Sequence, residues 1–131
     1  GFLDPANPAD AAIGDLAQFM ETGAAMGLDT ATLTGGVAAA GWNFGALFAK
    51  GLENAETVDR ASVMAALWTL ENESIGIMLP GAVANTNIQT DPWVYEDVQL
   101  INRKDGAWVA ATELTSYDGQ SKSFGGPDAD K

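Results

Sequence analysis

In 131 residues, eighteen acidic side chains face only six basic ones, a formal net charge of −12, and neither cysteine nor histidine occurs. Such a surface repels nucleic acid and anionic lipid. The two missing residue types remove thiol chemistry, disulfides, Ser-His-Asp triads and nearly every zinc site. The length suits one ordinary domain, and 47% apolar with 18% charged residues is globular rather than disordered composition.

The chain opens Gly1-Phe2-Leu3-Asp4-Pro5, with no initiator methionine and no basic leader, so it reads as the interior of something longer. Asn7-Pro8 predicts a helix start, with Asn7 as the cap, Pro8 in the first turn and Asp10 at the positive end of the dipole. That helix is expected to run to about Thr22, burying Ala9, Ala12, Ile13, Leu16, Phe19 and Met20, and to stop at Gly23 and Gly27. A loop over 23–31 follows.

The next helix, over 32–53, dominates the sequence. Val37, Ala40, Gly41, Phe44, Leu47, Phe48, Gly51 and Leu52 share one apolar face, while the other carries Ala38, Ala39, Trp42, Ala46 and Ala49. Up to Leu52, Lys50 is its only charge. A helix that is apolar all round is expected to be buried all round. Its glycines, Asn43 and Lys50 argue against a membrane span. Thr57 is expected to cap a third helix over 58–70, with Val58, Ala61, Met64, Leu67 and Trp68 inward, and the short link predicts antiparallel packing on its predecessor.

Beyond Glu73 the pattern changes. Residues 75–79 form a short apolar run ended by Pro80-Gly81, which predicts an extended segment and a turn. Residues 82–92 read as an irregular polar loop. Residues 94–101 and 107–114, separated by residues 102–106 in which Asp105-Gly106 supply the positive-φ positions, carry the clearest β-hairpin signal. The expected organisation is three helices, an extended segment and a hairpin over 1–114, then a frayed polar, acidic tail over 115–131. A two-stranded hairpin is marginal alone and cannot cover the central helix on two sides. The chain therefore reads as part of a larger α/β architecture.

The order of these pieces resembles the C-terminal third of a type I periplasmic solute-binding protein, the branched-chain amino-acid-binding family that serves ABC transporters. Asp4-Pro5-Ala6-Asn7-Pro8 before a helix, Ala40-Gly41-Trp42-Asn43-Phe44-Gly45-Ala46-Leu47, the run 57–67, and residues 75–81 with 98–101 and 104–109 carry the resemblance. It spans about residues 3–113, and its weight lies in the order and spacing of motifs none of which is specific by itself. Trp42 and Asn43 stand where the family often has Tyr and Asp.

The resemblance implies two α/β lobes joined by three crossing strands, with these helices mostly in the first lobe and residues 94–101 near the last crossing. It implies an extracytoplasmic component of an ABC transporter that encloses an amino acid or related small carboxylate by lobe closure, without catalysis, cofactor or metal. It also implies a membrane permease as partner, a periplasmic or extracellular location, and a lipid anchor as one option for the missing N-terminus. These residues alone are not expected to bind tightly.

Trp42 and Asn43 are the candidate ligand contacts. An indole offers a rigid apolar face with one N–H donor; the competing readings are a core tryptophan and a buried amide bonded to backbone. Pro80-Gly81 and Asn85-Thr86-Asn87 read as an ordinary surface loop rather than a cleft mouth. Asp91, Glu96 and Asp97 read as a solvated acidic face, since no calcium-loop pattern or catalytic pair accompanies them. Two alternatives stay open: a ligand-sensing domain of a receptor or regulator with the same fold, and a small acidic module that self-associates through its apolar helix.

Overall fold

A computed structural model describes residues 1–120. The chain is a small α/β protein with four helices and two small antiparallel sheets among these residues: α1 (Gly14–Ala25), α2 (Thr30–Leu33), α3 (Gly36–Asn54), α4 (Arg60–Leu67), β1 (Asp97–Val98), β2 (Ile101–Lys104), β3 (Ala107–Ala110) and β4 (Thr115–Ser116). No helix among them is long and apolar enough to cross a membrane.

The first helix starts six residues later than Asn7-Pro8 predicts, because polar side chains three apart divert the backbone into turns. Asp4 Oδ1 accepts from Ala6 N, and Asp10 Oδ2 accepts from Asp4 N, both at 2.9 Å. The carbonyls of Asp4, Asn7 and Asp10 accept in turn from the N–H groups of Asn7, Asp10 and Ile13. Leu16 and Phe19 of α1 are buried as expected, whereas Ala9 and Ala12 are exposed outside the helix. Gly27 supplies the expected stop in left-handed conformation (φ 85°). Its N–H donates to Ala24 and that of Leu28 to Gly23, which satisfies the last carbonyls of α1. Gly23 itself lies inside the helix, where Leu33 of α2 packs on it so closely that a Cβ would displace the leucine methyl. The loop expected over 23–31 thus runs into a one-turn helix, capped by Asp29, whose carboxylate accepts from Thr32 N at 2.7 Å.

The long apolar helix appears as α3, shifted a few residues from the predicted bounds. The expectation that it is buried all round fails. Ala39, Asn43 and Gly51 are buried, but Val37 is 88% exposed, Phe44 68% and Phe48 56%. The described residues cover one side of α3 and leave the other uncovered. Lys50 reaches Glu73 at 3.3 Å and Glu53 at 3.4 Å; Glu73 first, then Glu53, holds its ammonium above the usual lysine range.

Helix α4 is shorter than predicted and turned differently. Its cap is Asp59, not Thr57: Asp59 Oδ1 accepts from Ser62 N at 3.0 Å, and the Thr57 hydroxyl donates to the same carboxylate. Val63 and Ala66 are buried, while Val58 is 85% exposed and Ala61 and Met64 face solvent. Contact with α3 sets this rotation, with Leu67 lying against the bare backbone of Gly51.

Two apolar clusters flank α3. One joins Leu3, Leu16, Phe19, Leu33, Ala39 and Ile77; the other joins Leu70, Ile75, Met78, Ala82 and Ala84; Leu79 touches both. The extended run 75–79 supplies residues to each and pairs with the start of the chain. Phe2 and Met78 form an antiparallel bridge, with Leu3 N donating to Ile77 O at 2.9 Å and Leu79 N to Gly1 O at 3.1 Å. Gly81 (φ 84°) turns the chain after it, as expected.

A hairpin forms with Asp105 (φ 51°) and Gly106 (φ 86°) as its two-residue turn, but residues 102–104, expected in the link, belong to its first strand, because this two-residue turn lets pairing start at Lys104 and Ala107. β2 pairs β3 with Ile101 opposite Ala110 and Lys104 opposite Ala107. The arms then lose register, since residues 111–114 oppose only residues 99 and 100, and resume as β1 against β4. Across the break Leu100 N donates to Thr112 Oγ1, and Gln99 Nε2 to Thr112 O. β4 extends ordered structure past the boundary expected at residue 114; the rest of the expected tail, residues 121–131, lies outside the described residues.

Candidate functional site

The two candidate contacts, Trp42 and Asn43, are neighbours on α3, and one residue turns an α-helix by about 100°. The structure accordingly sends them to different places. Trp42 is half-buried, edge-on to Phe19 with ring centroids 5.7 Å apart, and it faces a groove of about 570 Å³ between α1 and α3. Phe19, Met26, Leu28 and the small residues Gly41, Gly45 and Ala49 complete that groove.

Asn43 faces the other flank. It is 5% exposed, and its Oδ1 accepts from Ile77 N at 2.9 Å. Gly76 (φ 62°) sits hard against this amide; a Cβ there would fall 2.2 Å from Asn43 Oδ1. The side chain therefore satisfies a core N–H that an extended segment pressed against a helix would otherwise bury unpaired. It also borders a second groove, of about 480 Å³, with Phe2, Pro5, Phe44, Tyr95 and Ile101. Both grooves are lined mainly by carbon. Neither gathers the convergent polar groups that hold an amino acid's ammonium and carboxylate, so the described residues do not assemble a solute site around Trp42 and Asn43.

The expected surface loop over 82–92 is more structural than its composition suggests. The buried Thr86 hydroxyl accepts from Leu70 N at 2.9 Å and donates to Leu67 O at 2.7 Å, tying off the end of α4. Asn85 Oδ1 accepts from Asn72 N, and its amide donates to Asp118 at 3.1 Å.

The expectation of a solvated acidic face at Asp91, Glu96 and Asp97 is overturned, because all three are buried. Backbone donors compensate the charge. Asp97 Oδ2 accepts from Val83 N at 2.7 Å, and Asp91 accepts from Gly119 N at 2.6 Å and Trp93 N at 3.3 Å. Asp118, nearly thirty residues from Asp91 in the chain, joins them: carboxylate oxygens of Asp91, Glu96 and Asp118 lie within 4.8 Å of one another. No sequence spacing foretold this meeting, which the β1–β4 pairing creates through Tyr117 N donating to Glu96 O at 3.1 Å.

Beside this cluster lies an open aromatic pocket of about 540 Å³, lined by Trp93, Tyr95, Glu96, Val98 and Tyr117. Phe2 packs edge-on to Tyr95 with centroids 4.8 Å apart. Burial pushes the Tyr95 phenol above its usual pKa, and its hydroxyl has no hydrogen-bond partner among the described residues.

Comparison of the chain with protein-family models, with curated proteins and with solved structures returned no match.

Proposed function

We propose that these residues form part of a two-lobed, extracytoplasmic solute-binding protein of the type I class, which delivers an amino acid or related small carboxylate to an ABC transporter. The observation that carries the reading is the uncovered side of α3. Val37, Phe44 and Phe48 are exposed on a helix whose two charges, Lys50 and Glu53, pair near its C-terminal end, and apolar grooves run along both of its flanks. Exposed aromatic side chains in such a stripe mark a surface that another element covers. In a two-lobed α/β architecture that element is a parallel sheet, whose both faces carry helices. The order of motifs along the chain supports the same reading.

On this reading the lining of the solute cleft lies largely in other parts of the protein, consistent with the scarcity of polar groups around Trp42 and Asn43. The protein acts by binding and closure, without catalysis, and hands its solute to a membrane permease. A ligand-sensing receptor domain would share the cleft and differ in what it is joined to.

The test is a thermal-shift screen of the complete gene product against the common amino acids and small carboxylates, followed by calorimetry on any hit. A solute that binds at one site and raises the midpoint supports the proposal. A folded protein that none of them stabilises contradicts it.

A further inference from the structure

The pocket beside β1 combines features that the solute-binding reading does not use. Trp93, Tyr95 and Tyr117 line it, Val98 supplies apolar surface, and Glu96 is the one carboxylate in its lining. The Asp91 and Asp118 carboxylates, outside the lining, stand within 4.8 Å of that of Glu96, so negative charge is concentrated behind one wall of this open aromatic pocket. Trp93 and Tyr117 are 39% and 46% exposed, leaving their rings open to solvent.

We propose that this pocket binds a small quaternary or fully methylated ammonium ion. Aromatic faces attract a cation through the ring quadrupole, tryptophan most strongly, and the attraction grows as the cation is desolvated. The neighbouring carboxylates add Coulombic attraction. A primary ammonium needs three acceptors when it leaves water, and with the Tyr95 hydroxyl and Glu96 Oε2 both buried the lining presents few. A methylated ammonium needs none, is less costly to desolvate, and presents methyl groups to the rings and to Val98. A bare divalent cation would favour the carboxylates but gain little from this much aromatic surface. The pocket is built by residues 93–98 and Tyr117, held together by the β1–β4 pairing and by the Asp91–Gly119 bond. It shares only Tyr95 with the second groove along α3 and has no lining residue in common with the first, and the inference stands whether or not the solute-binding reading does.

The experiment titrates the chain with tetramethylammonium and with choline, following indole and phenol resonances by proton NMR. The neutral choline isostere 3,3-dimethylbutanol and calcium serve as competing probes. Saturable shifts with both cations are expected, with the neutral isostere weaker by roughly tenfold. Tyr117→Leu, at an exposed position, should weaken the cations by about five- to tenfold and leave the fold intact, whereas Tyr117→Phe should change little. Equal binding of the neutral isostere overturns the proposal by showing a merely apolar pocket. Saturation by calcium without any by tetramethylammonium also overturns it, and so does an absence of saturable shifts in a folded chain.

Discussion

Replacing Asn43 by alanine tests the reading of that residue as the bond that docks the segment 75–79 onto α3. The substitution removes the acceptor for Ile77 N, which lies at 2.9 Å in a residue only 1% exposed. A buried N–H left without a partner costs about 1–3 kcal/mol. The space vacated beside Gly76 adds roughly another 0.5–1 kcal/mol as a small cavity. The expected total of about 1.5–4 kcal/mol is a large part of the ~5–15 kcal/mol that holds a typical domain together. With a urea slope of about 2 kcal/mol per molar, the unfolding midpoint should fall by about 1–2 M. The control is the next residue: Phe44→Ala, at a side chain 68% exposed, should stay within about 0.5 kcal/mol of the parent chain. Urea titration of residues 1–131, followed by circular dichroism, measures both. A loss below about 0.5 kcal/mol for Asn43→Ala, or an equal loss for Phe44→Ala, would refute the assignment.

The glycines make three further predictions. Gly23→Ala places a Cβ 2.3 Å from a Leu33 methyl and should cost about 1–3 kcal/mol by overpacking, read as a lower thermal midpoint. Gly45→Ala meets nothing within 4 Å inside α3 and should stabilise residues 1–131 by about 0.5–1 kcal/mol, read as a higher midpoint. Gly106→Ala, at φ 86° in the hairpin turn, should cost about 1–2 kcal/mol and speed amide exchange in β2 and β3. At Asp59 the Thr57 hydroxyl, followed by the Ser62 N–H, holds the carboxyl below its usual pKa. A depressed folded pKa gives stability that is present above the unfolded value and lost as pH falls through the folded one. The gap in urea midpoint between the parent chain and Asp59→Asn should therefore close on acidification below pH ~4, and a gap that is unchanged there would exclude this linkage.

What could be read from the sequence was local. Asp105-Gly106 specifies its turn because two adjacent positive-φ residues are needed there and those side chains tolerate it. Gly27 and Gly81 punctuate the chain for the same reason. The long apolar run gave α3 nearly whole. Misreadings arose where a distant partner decides. Asn7 and Asp10 look like helix-starting residues, yet together with Asp4 they form a run of turns that delays α1. The buried face of α4 follows from where Leu67 meets Gly51, not from the helix's own pattern. Asp91 and Asp118 become neighbours only through a strand pairing whose arms slip by two residues. Asn43 was legible as a candidate because an amide on an apolar helix must bond something; its partner, Ile77 N, was not.

The central claim is that an element beyond these residues covers the exposed side of α3. Hydroxyl-radical footprinting tests it directly by comparing the oxidation of Phe44 and Phe48 in the complete gene product with that in residues 1–131. The account predicts both rings reactive in the shorter chain and strongly protected in the complete protein. Equal reactivity in the two would mean that nothing covers this face, and the two-lobed reading would fall with it.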